Sequence, residues 1–243
     1  MEIKKDVLSK ATLRGYELLN NKGFVISAMS IGNSYFSNEK IDELLPFLNK
    51  HFSQTKILIA KKISVHTYKA LGYDEKKARQ KTKLAGNRLK NSCIRTMQKI
   101  RTQGQQVNVD FVDWENEVEH DAEYEKQLEI IKELYNRHKR LKDVKKSFYK
   151  DARDTTKNVL MAKLEDKKEI DRAIDEGVEY LLEELAFILA APKIFNVTNV
   201  AYIYHREWPI FTKLIDGKYD KKIRKNVAFI QLEEPVEVEN PNV

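Results

Sequence analysis

Residues 23–30 read Gly-Phe-Val-Ile-Ser-Ala-Met-Ser, an apolar run of the kind that forms a buried β-strand. Turn-forming and hydroxyl-bearing residues follow this run, and Asn38 is then a candidate cap for an amphipathic helix. The apolar face of that helix is predicted to consist of Ile41, Leu44, Leu45, Phe47 and Leu48. A buried strand that leads directly into an amphipathic helix is the repeating unit of parallel α/β proteins.

The same alternation continues along the chain. Further strands are predicted over 56–60, 107–112, 197–204 and 227–232, and helices over 74–102, 115–150 and 167–189. Gly104 is expected to end the helix over 74–102, and the Ala191-Pro192 pair to close the last helix. The order predicts an α/β fold with a parallel sheet and right-handed crossovers. We expect one domain over residues 1–243, with 233–243 as a flexible acidic tail.

The composition excludes several classes of protein. With 42% apolar residues, only 8 glycines and 5 prolines, the 243-residue chain is neither disordered nor collagen-like. Its single cysteine cannot form an internal disulfide, which fits a reducing compartment, so we expect a cytoplasmic protein. No run approaches the ~18 uncharged apolar residues of a membrane span, so no contact with a membrane is expected. The net charge of +7 favours polyanionic partners.

The positive charge is concentrated in one predicted helix. From residue 76 to residue 109 there are ten lysines and arginines and no acidic residue. One face of this helix is predicted to carry Lys77, Lys81, Arg88, Arg95 and Lys99. A solvated face is the usual explanation of a charge run, but here no Glu or Asp within the segment can form i,i+4 pairs. We therefore favour contact with the phosphate backbone of a nucleic acid.

Common metal and nucleotide motifs are absent from the sequence. The five histidines have no zinc-type spacing with each other or with Cys93, so no metal is expected. There is neither a GxGxxG nor a GxxxxGK[ST] loop, and no GxSxG nucleophile elbow. No cofactor is predicted.

Three segments carry residues that could perform chemistry. Ser30 lies at the carboxyl end of the first strand, where ligands bind in α/β sheets, although composition alone favours a plain turn with capping serines. Tyr180 and Glu184 are i,i+4 on one helical face, which also fits a surface glutamate beside a half-buried tyrosine. Tyr204 and His205 follow an apolar strand and could transfer protons, or could be ordinary core aromatics.

Together the segments resemble one enzyme family. The motifs Ser30-x-x-Asn33-Ser34-Tyr35-Phe36, Tyr180-x-x-x-Glu184 and Tyr204-His205, the last followed by Pro209, are similar to those of the cyclodipeptide synthases. The resemblance runs from about residue 15 to residue 232. It implies a Rossmann-like parallel sheet flanked by helices, similar to the catalytic domain of class I tyrosyl- and tryptophanyl-tRNA synthetases. The HIGH-type and KMSKS-type motifs of those synthetases are absent, so the substrates would be two aminoacyl-tRNAs.

The resemblance also implies a role for each motif residue. Ser30 would hold the first amino acid as an ester, and Tyr180 and Glu184 would bind its α-ammonium. Asn33 would hold the substrate backbone. Tyr204 would act when the dipeptidyl enzyme cyclises to a 2,5-diketopiperazine, and His205 could assist proton movement. No metal or cofactor is needed, since a tRNA ester is already a good acyl donor.

The family pattern extends to a side-chain pocket. The positions that would line it are Ile26, Ala28, Phe187 and Tyr202, which resemble those of members that make leucine- or phenylalanine-containing products; we favour leucine, as in cyclo(Leu-Leu). One departure is Leu185-Ala186, where the family often has a proline. An RNA-binding protein without catalysis and a serine hydrolase remain alternatives, although no Ser–His–acid set is evident for the hydrolase. We expect a monomer, because no coiled-coil heptads are present.

Overall fold

A computed structural model describes residues 17–18, 20–136, 142–157, 166–206, 208–219 and 226–232 of the protein. Its sheet consists of β1 (Phe24–Ala28), β2 (Gln54–Leu58), β3 (Val109–Phe111), β4 (Val200–Tyr204) and β5 (Val227–Gln231). All pairings are parallel and the strand order is β3-β2-β1-β4-β5. The predicted parallel α/β fold is therefore confirmed.

Helices connect and flank these strands. They are α1 (Asn38–His51), α2 (Val65–Ala70), α3 (Glu75–Thr102), α4 (Ala122–Asn136), α5 (Lys142–Lys157), α6 (Lys167–Ile194) and α7 (Pro209–Ile215). A 3₁₀ turn covers Ser34–Phe36 and a π-helical turn covers Trp114–Val118. Within the described residues, no helix is long and apolar enough to cross a lipid bilayer.

The strand order places a switch point between β1 and β4. The chain adds β2 and β3 on one side of β1, and then returns to add β4 and β5 on the other side. In open parallel sheets, the crevice beyond the carboxyl ends of the strands at such a point is where ligands bind. Helix α3 reaches this end of β1, because the buried Cys93 Sγ lies 3.6 Å from Met29 Sδ.

Several predicted boundaries are wrong, each for a local reason. Ser37, not Asn38, caps α1 by accepting a hydrogen bond from the Lys40 amide at 3.3 Å, whereas Asn38 is the first helical residue. Pro192 does not close α6, which continues to Ile194, because one lost backbone hydrogen bond is tolerated in the last turn. Gly104 does follow the end of α3, in a left-handed conformation with φ of 75°.

The helix predicted over 115–150 is divided. A π-helical turn, α4 and α5 take its place. Asp121 accepts hydrogen bonds from the Glu123 and Tyr124 amides at 2.9 and 3.1 Å, so α4 has a new start at that point. Residues 137–141 and the predicted tail 233–243 lie outside the described residues.

Candidate active site

Ser30 and Tyr204 meet at the carboxyl edge of the sheet. Tyr204 is the last residue of β4, and Ser30 follows β1 by two residues. The parallel register that pairs Ser27 with Ile203 brings both strand ends to one point. Ser30 Oγ lies 2.8 Å from Tyr204 Oη, within hydrogen-bond distance. The structure therefore brings together two predicted site residues that are 174 positions apart in the chain.

Asn33 connects the turn after β1 to the segment after β4. Its side-chain oxygen accepts a hydrogen bond from the Tyr35 amide at 3.0 Å, and its Nδ2 donates to His205 Nε2 at 3.0 Å. The His205 ring also stacks on the Tyr35 ring, with centroids 4.1 Å apart. Because Nε2 accepts from Asn33, a neutral His205 carries its proton on Nδ1. Asn33 and His205 thus form a fixed wall beside Ser30.

Helix α6 contributes a buried carboxylate. Glu184 is 6% exposed, and its Oε1 accepts a hydrogen bond from Tyr202 Oη at 2.7 Å. Burial raises the pKa of Glu184 to about 7, although hydrogen bonds from Tyr202 and Tyr180 and the charge of Arg206 act in the opposite direction. Glu184 is therefore close to its titration point at neutral pH.

Tyr180 links this carboxylate to Ser30. It interacts with Ser30 and, one turn along α6, with Glu184. Burial and the nearby Glu184 charge raise the pKa of Tyr180 well above its usual value. Burial also raises the pKa of Tyr204. Both phenols are thus neutral donors near physiological pH, and the predicted residues Ser30, Tyr180, Glu184 and Tyr204 form one connected group.

The four predicted pocket residues are all buried. Ile26 and Tyr202 are direct partners in the β1–β4 pairing, so they share a face of the sheet with Ala28. Phe187 packs against the Trp114 ring, with centroids 5.4 Å apart. No motif in the sequence indicated Trp114, which reaches Phe187 from the π-helical turn.

Arg206 is a second residue that the sequence analysis did not identify. Its guanidinium lies 5.7 Å from the centroid of the Tyr204 ring. Its positive charge opposes the rise that burial causes in the pKa of both Glu184 and Tyr204. Its position directly after the Tyr204-His205 motif was the available signal.

A cleft of about 330 Å³ opens beside Ser30. One wall consists of Ser30, Gly32, Asn33, Ser34 and Phe36, and the other of Ala85, Arg88, Leu89 and Ser92 from α3. Gly32 has φ of 79°, a conformation that favours glycine and allows the tight turn out of β1. The basic helix therefore forms one side of the candidate active site.

The five basic residues predicted to bind nucleic acid are all exposed, but they differ in their partners. Arg88 borders the cleft, and Lys77 lies in the first turn of α3. Lys81 Nζ lies 4.5 Å from the Tyr73 ring centroid. Arg95 donates to Asn38 Oδ1 at 3.0 Å, and Lys99 forms an ion pair with Asp42 at 2.6 Å. Glu75, in the first turn of α3, forms an i,i+4 ion pair with Arg79 at 2.6 Å, and the acid that residues 76–102 lack is supplied in part by α1.

Comparison with known proteins identifies relatives over nearly the whole chain. The model of the family described as "Cyclodipeptide synthase" matches residues 9–234. A cyclo(L-leucyl-L-leucyl) synthase of Staphylococcus haemolyticus is 23% identical over 231 residues, 95% of this chain and 94% of that protein. A protein of the same name from Bacillus subtilis is 22% identical and covers 90% of this chain and 85% of its own length.

Solved structures share the fold. A cyclodipeptide synthase from Staphylococcus haemolyticus superposes with a TM-score of 0.76 at 22% identity, over 97% of this chain and all of that chain. A Mycobacterium tuberculosis structure described as demonstrating a relation to type I tRNA synthetases has a TM-score of 0.66 at 16% identity, covering 95% and 98% of the two chains. A synthase from Candidatus Glomeribacter gigasporarum bound to Phe-tRNAPhe gives 0.63 at 13% identity, covering 95% and 98%.

Proposed function

Since the chain belongs to the cyclodipeptide synthase family, we propose that it converts two aminoacyl-tRNAs into a 2,5-diketopiperazine through an ester on Ser30. The observation that carries this proposal is the connected group at the strand ends. Ser30 Oγ is 2.8 Å from Tyr204 Oη, and Tyr180 joins it to the buried Glu184. This group lies beside a cleft whose other wall is the basic helix α3.

In the first transfer, Ser30 Oγ attacks the ester carbonyl carbon of an aminoacyl-tRNA. A new C–O bond forms, the ribose oxygen leaves, and the serine proton ends on that ribose oxygen. Tyr204 is close enough to Ser30 to carry this proton. Because the tRNA ester is already an activated acyl donor, positioning and hydrogen bonds to the developing oxyanion supply the catalysis.

The second transfer joins the two amino acids. The amino group of the Ser30-bound unit attacks the ester carbon of a second aminoacyl-tRNA, an amide bond forms, and the second ribose oxygen leaves with a proton. The dipeptide stays on Ser30. Its free amino group then attacks the Ser30 ester, the ring closes, and Ser30 Oγ regains a proton.

Glu184 can both bind the amino group of the substrate and accept its proton in these steps. Its carboxylate form can bind an α-ammonium through a charge-assisted hydrogen bond. Its pKa of about 7 is near that of an α-amino group, ~8, so Glu184 can also accept the proton that the amine must lose before it attacks. Asn33 and His205, joined at 3.0 Å, would hold the substrate backbone against the turn after β1.

We propose leucine as the amino acid in the product. Curated relatives from two organisms are cyclo(L-leucyl-L-leucyl) synthases. The proposed pocket residues Ile26, Ala28 and Phe187 offer apolar surface. The hydroxyl of Tyr202 donates its hydrogen bond to Glu184, so this donor is not available to a polar substrate side chain in the pocket.

We also propose that both tRNAs contact α3, and that the enzyme acts as a cytoplasmic monomer. Arg88 at the cleft and the exposed lysines on the same face supply cations for phosphates. The cytoplasm is where charged tRNA is made. Sedimentation velocity with and without tRNA tests the monomer, and a dimeric mass for the free protein would contradict it.

The decisive experiment uses two serines of the same cleft. We expect Ser30→Ala to fold normally but to trap no aminoacyl group from radiolabelled leucyl-tRNA and to release no diketopiperazine. The matched control is Ser34→Ala, which should retain both. Labelling of the Ser30→Ala protein would overturn the nucleophile assignment. With the wild-type protein, release of free leucine alone would favour a hydrolase, and tRNA binding without any product would favour an RNA-binding protein.

A further inference from the structure

Tyr202 has a contact that its place in an apolar pocket does not require. It is fully buried in β4, and its hydroxyl donates to Glu184 Oε1 at 2.7 Å. Its ring is held among Trp208, Phe211 and Phe229, with centroids 5.7, 5.6 and 6.5 Å away. The aromatic neighbours fix the ring, so the hydroxyl presents a hydrogen-bond donor at one position.

The two tyrosines on this face of β4 have separate partners. Tyr202 and Tyr204 are two residues apart and therefore point to the same side of the sheet. Tyr204 is hydrogen-bonded to Ser30, and Tyr202 is hydrogen-bonded to Glu184. Tyr180 on α6 lies between these pairs and contacts both Ser30 and Glu184. Each group assigned to the chemistry is thus held by its own tyrosine from the strand.

We propose that Tyr202 is a positioning residue, whose hydroxyl orients the Glu184 carboxylate towards the substrate amino group and favours its ionised form. The proposal rests on the function proposed above for Glu184. It goes beyond that function because it assigns Tyr202 a role through Glu184 in addition to one as a pocket wall.

The physical reason is the balance of groups around Glu184. Burial favours the neutral acid, whereas the hydroxyls of Tyr202 and Tyr180 and the charge of Arg206 favour the carboxylate. The carboxylate of Glu184 in turn acts on Tyr204, whose pKa it helps to raise. Of the three groups that favour the carboxylate, Tyr202 is the one that donates a buried hydrogen bond of 2.7 Å to it. Removing its hydroxyl would leave the burial and take away the bond, so the carboxylate would be less populated at neutral pH.

The test is Tyr202→Phe, which keeps the ring and its packing. We expect single-turnover aminoacylation of Ser30 from leucyl-tRNA to fall about tenfold at pH 6 and to approach the wild-type rate near pH 8. The acid limb of the pH profile moves to higher pH because the pKa of Glu184 rises when a donor to its carboxylate is lost. A residue that only packs would lower the rate by the same factor at every pH, and that result would overturn the proposal.

Two further measurements isolate the coupling. In a Glu184→Gln background, adding Tyr202→Phe should produce no pH-dependent loss, because the titrating group is gone. The pKa of Glu184, followed by carboxyl ¹³C NMR, should be about one unit higher in Tyr202→Phe than in the wild type. An unchanged pKa would overturn the positioning role even in an active enzyme. A raised pKa in a protein that never forms an aminoacyl ester would instead refute the proposed function and leave the contact intact.

Discussion

Two carboxylates on helix α6 have opposite electrostatic surroundings. Glu184 is buried beside the phenols Tyr202 and Tyr180, and its pKa is raised to about 7. Glu176 accepts a hydrogen bond from His66 Nδ1 at 2.6 Å and lies 2.9 Å from Lys69 Nζ. Burial raises the pKa of Glu176 too, but these two cations outweigh it and the net shift is downward.

The difference shows that depth of burial together with the partners, not the residue type or the helix, decides what a carboxylate can do. A cation stabilises the ionised form and resists titration, so Glu176 acts as a structural tie between α2 and α6. At Glu184 burial favours the neutral acid and is only partly offset by the two phenols and the charge of Arg206, so its carboxyl group stays close to titration and available to an ammonium. This separation predicts that changes at the two positions affect different measurements.

The largest effect is expected at Glu184. Glu184→Gln keeps the size of the side chain and removes its charge, which costs on the order of 1.5–3 kcal/mol of a charge-assisted contact. Diketopiperazine formation should fall about ten- to a hundredfold or slightly more. The melting temperature should not fall, since no buried charge remains to be solvated. Product is measured by mass spectrometry against charged tRNA.

The control for this change is Glu179→Gln, on the same helix but exposed. It should leave both product and melting temperature unchanged. If Glu179→Gln reduced product as much as Glu184→Gln, the active face of α6 would be assigned to the wrong residues.

At Glu176 the expected loss is one of stability. Glu176→Gln leaves His66 and Lys69 without their shared carboxylate in a largely buried place, where each is at most 32% exposed. The cost should be about 1–2 kcal/mol, equivalent to a melting temperature lower by about 2–8 °C. Product formation per folded protein should be unchanged. A normal melting temperature with reduced product would reverse the division of roles between the two glutamates.

The surroundings of Glu184 and of Glu176 were not equally predictable from the sequence. The i,i+4 spacing predicted that Tyr180 and Glu184 share one face of the helix, and the structure places them beside each other because local geometry determines it. The contact of His66 with Glu176 joins residues 110 positions apart, and no periodicity or motif encodes such a pair. The histidine spacing argued against a zinc site, but it gave no sign that Glu176 is a partner of His66.

The same limit applies to the basic helix. Counting acids within the segment could not detect Asp42, which pairs with Lys99 from α1. The strand and helix order was predictable because the apolar periodicity is local. The meeting of Ser30 with Tyr204 followed only from resemblance to a family, since the alternation of strands does not by itself specify which strand ends are neighbours.

A smaller effect should appear in the pH dependence of stability at His66. Burial lowers the pKa of His66, but hydrogen bonds and charges from Glu183 and Glu176 outweigh it, so the net shift is upward. The stabilisation is therefore fully present below the ordinary value of about 6.5 and is lost as the pH rises through the folded pKa. His66→Gln should lower the melting temperature at pH 6 by a few degrees more than at pH 9.

His51→Gln is the matched control for this change. Burial and the charges of Lys50 and Lys22 lower the pKa of His51. The melting temperature of His51→Gln should therefore not fall further below that of the wild type as the pH is lowered to 6. If His66→Gln cost as much at pH 9 as at pH 6, the tie at Glu176 would rest on packing rather than on charge.

The smallest effect extends the comparison to two cations of α3. Arg88 lines the cleft, and in the described part of the chain no carboxylate lies within ion-pair distance of it, whereas Lys99 is 2.6 Å from Asp42. If the partner decides the role, Arg88 is available to a tRNA phosphate and Lys99 is largely committed to the α1–α3 contact. Each phosphate contact contributes about 0.7–0.9 to the slope of log affinity against log salt. Arg88→Ala should therefore reduce the magnitude of this slope by nearly one unit and Lys99→Ala by much less, in tRNA titrations between about 50 and 200 mM salt.

Lys132→Ala on α4, exposed and remote from α3 in sequence, is the control and should leave the slope unchanged. Equal reductions for Arg88→Ala and Lys99→Ala would mean that Asp42 releases Lys99 to the tRNA, and that an ion pair on the surface does not define the role of a residue as the buried pair at Glu176 does.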